Sequence, residues 1–137
     1  MHTKSEMANL MPYNVQWDNA EKTAVLCSLQ GHWTWHEMSL ALEEMFALLD
    51  ETDHRAALIF HTGNHSYVPP GALANLRKLI NISHPNEGIK LLVGVPALIA
   101  ALFAALNKSY YELIKEFWFV DTLEEARAVI KQQLAHH

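Results

Sequence analysis

Nine histidines lie along the 137-residue chain, and two pairs sit where chemistry could be done: His32 with His36, and His61 with His65. Imidazole serves as a zinc ligand and as a general base near neutral pH. Spacing alone does not make these pairs a metal site. His32 precedes the helix expected to carry His36, so the two do not share a helical face, and no cysteine cluster accompanies either pair. They read as solvated loop histidines, with no metal assigned. Ser66 beside His65, and Asp121 further on, supply the residue types of a nucleophilic triad. The strained Gly-x-Ser-x-Gly turn that exposes such a serine is absent. Gly63 and Gly71 flank the same loop without a Walker or dinucleotide fingerprint. These residues therefore imply no catalytic group and no cofactor.

The elements that must position these residues follow from periodicity. Residues 13–17 alternate apolar and polar, as a half-buried strand does. Residues 18–21 read as a hairpin turn, and 23–29 as the antiparallel partner strand. Gly31 ends that strand. Thr34 and Glu37 then form a capping box, with Trp33 and Met38 spaced as its hydrophobic staple. Met38, Leu42, Met45, Phe46 and Leu49 share one helical face. Residues 56–60 form a continuous apolar run, typical of a strand covered on both faces. Pro69-Pro70 is expected to open a second helix, with Leu73, Leu76 and Ile80 as its apolar stripe. A strand at 89–95, an apolar helix at 96–106 and a strand at 117–120 follow. Thr122 and Glu125 cap a last helix that reaches about residue 135, with Leu123, Ala126, Val129, Ile130 and Leu134 inward. Trp17, Trp35 and Trp118 are expected in the core.

The order is β-β-α-β-α-β-α-β-α. It predicts an α/β domain over residues 12–135: a mostly parallel sheet with an antiparallel N-terminal edge strand, packed by four helices. Residues 1–11 form a flexible lead-in. Loops that follow parallel strands emerge at one edge, where ligands tend to bind. His32, His36, His61, His65 and Asp121 all fall in or beside such loops, which makes that edge the candidate ligand site.

Composition narrows the function classes. The ten Lys and Arg are scattered against fifteen Asp and Glu, giving a net charge of −5. Nucleic-acid binding would ask for a basic face. The longest apolar run, residues 95–106, is well short of the ~20 residues that span a bilayer. One cysteine, Cys27, cannot form an internal disulfide and reads as a small buried hydrophobe. No apolar leader segment is seen at the start of the chain. The expectation is a cytoplasmic protein. The helix at 96–106 is apolar almost all round, so its outer side reads as a dimer or partner interface.

The strand order, the glycine after the second strand, the loop before the second helix and the closing Thr122-Leu123-Glu124-Glu125-Ala126 resemble the STAS family of anti-sigma-factor antagonists, and more closely its looser STAS-like bacterial branch. The resemblance implies a non-catalytic regulatory or scaffolding domain in bacterial signalling that works through protein–protein contacts. It places those contacts on the loop and the start of the second helix: His61, Asn64, His65, Ser66, Tyr67, Val68, Gly71 and Arg77. Where the antagonists carry a phosphorylatable Asp-Ser-Ser-Gly, this chain has Val68-Pro69-Pro70-Gly71, so the family's serine switch is missing. The alternative is a sensor of a small molecule, lipid or metal at the histidine-bearing edge. For the lipid form, which follows a likeness between some STAS-like proteins and the Sec14 fold, the apolar third helix would line the pocket.

Overall fold

A computed structural model describes residues 12–62 and 67–135. Within them the chain runs β1 (Tyr13–Trp17), β2 (Ala24–Leu29), α1 (Trp35–Leu49), β3 (Ala56–His61), α2 (Ala72–Leu79), β4 (Glu87–Val93), α3 (Ala97–Ile114), β5 (Phe117–Val120) and α4 (Leu123–Ala135). The lead-in 1–11 and the loop residues Asn64, His65 and Ser66 lie outside the described residues.

The architecture is α/β, with one mixed five-stranded sheet and four helices. β1 runs antiparallel to β2, and β2 to β5 are parallel. Strand order equals chain order, β1-β2-β3-β4-β5. Each crossover therefore steps to the next strand in the same direction. A fixed right-handed connection then places all the crossover helices on one face. The core divides accordingly. Val25, Cys27, Leu29 and Leu58 face α1, α2 and α3, meeting Met45, Leu76 and Phe103 among others. Ala24, Leu26, Ala57, Ile59, Leu91 and Val93 face the other way, where Ala126 and Ile130 of α4 cover them.

Local chemistry sets the element ends. The Thr34 hydroxyl accepts from the Glu37 N–H at 3.1 Å, and the Glu37 carboxylate accepts from the Thr34 N–H at 2.9 Å. Two orphan donors at the start of α1 are thereby satisfied, as the capping-box reading expected. At α4 the box is offset: Thr122 accepts from Glu125 N–H, but Glu125 reaches back to the N–H of Asp121. The bidentate pair between Arg127 and Asp18, at 2.9 and 3.1 Å, ties α4 to the β1–β2 turn.

Four sequence expectations need correction. Pro69-Pro70 precedes α2 and does not open it. The N-cap is Gly71, whose φ of 85° is left-handed, and an added Cβ there would sit 3.1 Å from the Asn75 side chain. The third crossover helix does not stop at Leu106. Asn107, Lys108 and Ser109 stay in solvent, the backbone kinks at Tyr110, and Ile114 returns to the core. Leu73 and Leu134 are exposed, because each sits at the rim of the inward arc that centres on Leu76 in α2 and on Ala126 and Ile130 in α4. Trp118 is 41% exposed, because β5 is an edge strand.

Leu49 is fully buried, whereas Leu134 is half exposed. Leu49→Ala is expected to cost about 2–5 kcal/mol. Leu134→Ala is expected to change stability by no more than about 0.5 kcal/mol. The midpoints of urea unfolding compare the two directly.

Candidate functional site

With three helices on one sheet face, the layer between them decides what the fold can hold. α1, α2 and α3 do not close completely over the sheet. A cleft of about 90 Å³ remains, walled by Met38 and Leu42 from α1, Leu76 from α2, Phe103 from α3, and Phe60 and Leu92 from the strands. Tyr67, Val68, Val95 and Pro96 line it at the C-terminal end of the strands, and Ile82, Glu87 and Lys90 at the opposite end. Its volume is roughly that of three waters in bulk, at ~30 Å³ each. Water needs polar partners to stay in such a space, and apolar walls leave it dry or filled by an apolar group.

Several polar groups on the walls are already paired. The Thr62 hydroxyl donates to the Gly94 carbonyl at 2.9 Å. Lys90 pairs with Glu87 at 3.1 Å and lies over the Phe117 ring. The Trp35 indole N–H donates to the Pro69 carbonyl at 3.1 Å, a buried bond that pins the lead into α2 onto α1. Trp33 stands edge-on to Trp35 with ring centroids 4.9 Å apart, and both are core residues. Together the two indoles close the cleft on its α1 side.

The edge proposed from topology is only partly assembled. His32 lies against Tyr67 at 4.5 Å between ring centroids, so the loop after β2 does meet the loop after β3. His61 ends β3 half-buried, and His36 is exposed on α1. Asp121 follows β5, three strands from β2, about 14 Å away at ~4.8 Å per strand spacing. The parallel strands never reverse their order, so the sheet has no topological switch point of the kind that opens a ligand crevice. Among the described residues, no three His, Cys, Asp or Glu come together as a metal site. Gly71 and Arg77 are exposed, while Tyr67 and Val68 are half-buried against the core.

Two histidines outside the predicted edge make specific bonds. His84 Nδ1 accepts the Asn86 N–H at 2.9 Å, which leaves Nε2 to donate to Asp50 at 2.7 Å. With both nitrogens engaged, the ring braces α1 against the start of β4. Asn86 completes that joint by donating to the Leu49 and Thr52 carbonyls. His54 binds the Lys22 carbonyl at 2.8 Å.

Sequence reasoning offered a pocket lined by the third helix, which carries Ile99 and Phe103, only as an alternative, and did not identify Leu79 of α2 or Phe117 of β5 as wall residues. The one available signal was the apolar helix at 96–106, which has more apolar surface than a single sheet face covers. No protein-family model matches the chain, and no curated protein or solved structure is significantly similar to it.

Cys27 is fully buried in the sheet, and desolvation pushes its thiol pKa up to about 12. A thiol is reactive only as the thiolate. Native protein is expected to resist iodoacetamide at pH 8 and to take up one label when unfolded. Rapid labelling of the native protein would mean that β2 opens.

Proposed function

We propose that this chain is a non-catalytic binding domain that holds a compact apolar ligand in the cleft and presents the surface around α2 to a protein partner. The observation behind the proposal is the position of α2. Leu76 and Leu79 on its inner side line the cleft, while Arg77 on its outer side and Gly71 before it are exposed. Tyr67 and Val68, immediately upstream, sit at the mouth. That segment is also where the STAS-like resemblance implies partner contacts. One short helix would thus read ligand occupancy on one side and report it on the other.

The ligand class follows from size and polarity. A dry apolar cavity of ~150 Å³ takes benzene, so the resting cleft fits a smaller apolar group, and an aromatic ring requires α2 to move outward. α2 suits that movement, since Leu76 is its one fully buried residue and no side chain caps its start. The paired state of Thr62, Glu87, Lys90 and the Trp35 indole leaves few polar groups on the walls for a substrate, which favours binding over catalysis. Loss of the family's phosphorylatable serine fits a switch driven by ligand and not by a kinase.

Benzene and 1-hexanol serve as probes. A ligand that binds only the folded state raises its stability by RT ln(1 + [L]/Kd), about 2.7 kcal/mol at a hundredfold excess over Kd. The wild-type melting temperature is expected to rise with either probe, and Leu76→Trp, which fills the cleft, is expected to abolish the rise. An equal shift in both proteins, or none in the wild type, would remove the ligand. Val68→Asp places a charge at the mouth and is expected to weaken both the probe response and any partner complex.

A further inference from the structure

β5 is the last strand of the sheet, and among the described residues no strand pairs with its outer edge. Sheet edges in soluble proteins are ordinarily blunted by charge, proline or a bulge. The other edge of this sheet follows that practice in part: β1 carries Asn14 and Gln16, and its turn carries Asp18 and Lys22. β5 reads Phe117-Trp118-Phe119-Val120 and has none of these devices. Trp118 is 41% and Phe119 42% exposed. α3 extends the same flank, since Phe103 touches the rings of Phe117 and Phe119 at 5.0 and 5.4 Å. Its outer side exposes Ala100, Ala101, Ala104 and Tyr111. No charged residue occurs from 91 to 107 or from 117 to 120, in a chain whose net charge is −5.

We infer that this flank binds a second copy of the chain through antiparallel pairing of β5 with its twofold mate. Backbone geometry limits the register. The Glu116 and Val120 carbonyls accept from the N–H groups of Lys90 in β4 and of Gly94 just after it. Alternation along a strand then turns the N–H and C=O of Phe117 and Phe119 outward. In an antiparallel pair, outward-facing residues form hydrogen-bonded pairs that exchange both N–H···O=C bonds. Phe117 opposite Phe117, Phe119 opposite Phe119 and Phe117 opposite Phe119 all meet this condition, and the last is preferred because it alone places two exchanged pairs inside β5; it sets Trp118 opposite Trp118 as the non-hydrogen-bonded pair, where side chains lie closest. A twofold axis perpendicular to the sheet is compatible with this register, because opposed side chains then share a face. The indoles meet on the α4 side and the phenyl rings on the α3 side, where the small Ala100 and Ala104 let the two α3 helices approach.

Charge and area select this occupant. A self-complementary surface brings each charge near its own copy, so an uncharged flank on an acidic protein suits self-association. An acidic or basic partner finds no charge to pair with on β5. A membrane is the other apolar occupant, but surface-lying helices are rich in Lys and Arg, and α3 carries only Lys108. The exposed parts of Tyr111, Trp118 and Phe119 supply on the order of 300 Å². The edge backbone and the alanines extend this toward the ~800 Å² per partner of an ordinary interface.

Sedimentation equilibrium from micromolar to near-millimolar concentration tests the inference. Wild type is expected to approach twice the 15.6 kDa chain mass. Trp118→Lys and Phe119→Pro are each expected to weaken the dimer at least tenfold with circular dichroism unchanged. The proline removes an N–H that points away from β4, so the existing ladder is spared. A wild type that stays at the monomer mass throughout overturns the inference, as does a dimer that both variants leave intact. Monomer in solution together with flotation on phosphatidylcholine vesicles would assign the flank to a membrane instead. The cleft is not needed for this pairing, so Leu76→Trp is expected to dimerise like wild type.

Discussion

The repeated right-handed step from each parallel strand to its immediate neighbour governs the rest of this structure. Had the chain doubled back across the sheet, helices would lie on both faces and a crevice would open at the reversal. Here the strands advance in one direction, so α1, α2 and α3 crowd onto one face and α4 alone covers the other. Crowding produces the cleft. A short α2 between two longer helices cannot fill its share of the layer, and the space is left at its inner side.

Polar ties hold that imperfect layer in register. The bond from Trp35 to Pro69 fixes the entry to α2 from above. His84 and Asn86 fix the lower joint, where α1 ends and β4 begins. Each uses groups that would otherwise be orphaned: a buried indole N–H, and carbonyls at the end of α1. Unmade bonds of this kind cost about 1–3 kcal/mol each. Among the described residues, α2 itself makes no such bond beyond its own ends. The layer is therefore anchored at α1 and α3 and loosest at α2, the same segment that walls the cleft.

How much was legible in the sequence follows from what is local and what is not. β1, β5, the Thr34 box and the end of α4 are local signals, and each falls at or within a residue of its predicted place. The offset of the second box from Thr122 to Asp121 lies below what sequence resolves. The start of α2 was misread because Pro69-Pro70 fits both a helix opening and an extended lead, and the choice is made by Trp35, thirty-four residues away. Trp118 was misread because burial of a tryptophan in a strand depends on whether that strand has a neighbour on each side. Strand order is not written in the chain. For the same reason the histidine edge looked like one site when it is a row: consecutive strand ends lie side by side, so His32 reaches Tyr67 while Asp121 stands three strands away.

Phe103 connects the two proposals. Its ring is a wall of the cleft and also the contact that seats Phe117 and Phe119 of β5. Interiors near close packing do not absorb an added group without displacement. A ligand larger than the resting cleft has two ways to make room. It can push α2 outward, which costs little because α2 is lightly held, or it can push Phe103, which drags on the edge aromatics. In the first case ligand binding leaves self-association untouched. In the second the two are coupled, and by linkage the coupling is reciprocal: dimer formation changes ligand affinity by the same factor that ligand changes the dimer. The weak anchoring of α2 favours the first route. If both proposals hold, the cleft would report chiefly through α2, with Phe103 and Phe117 as its only route, among the described residues, to the β5 flank.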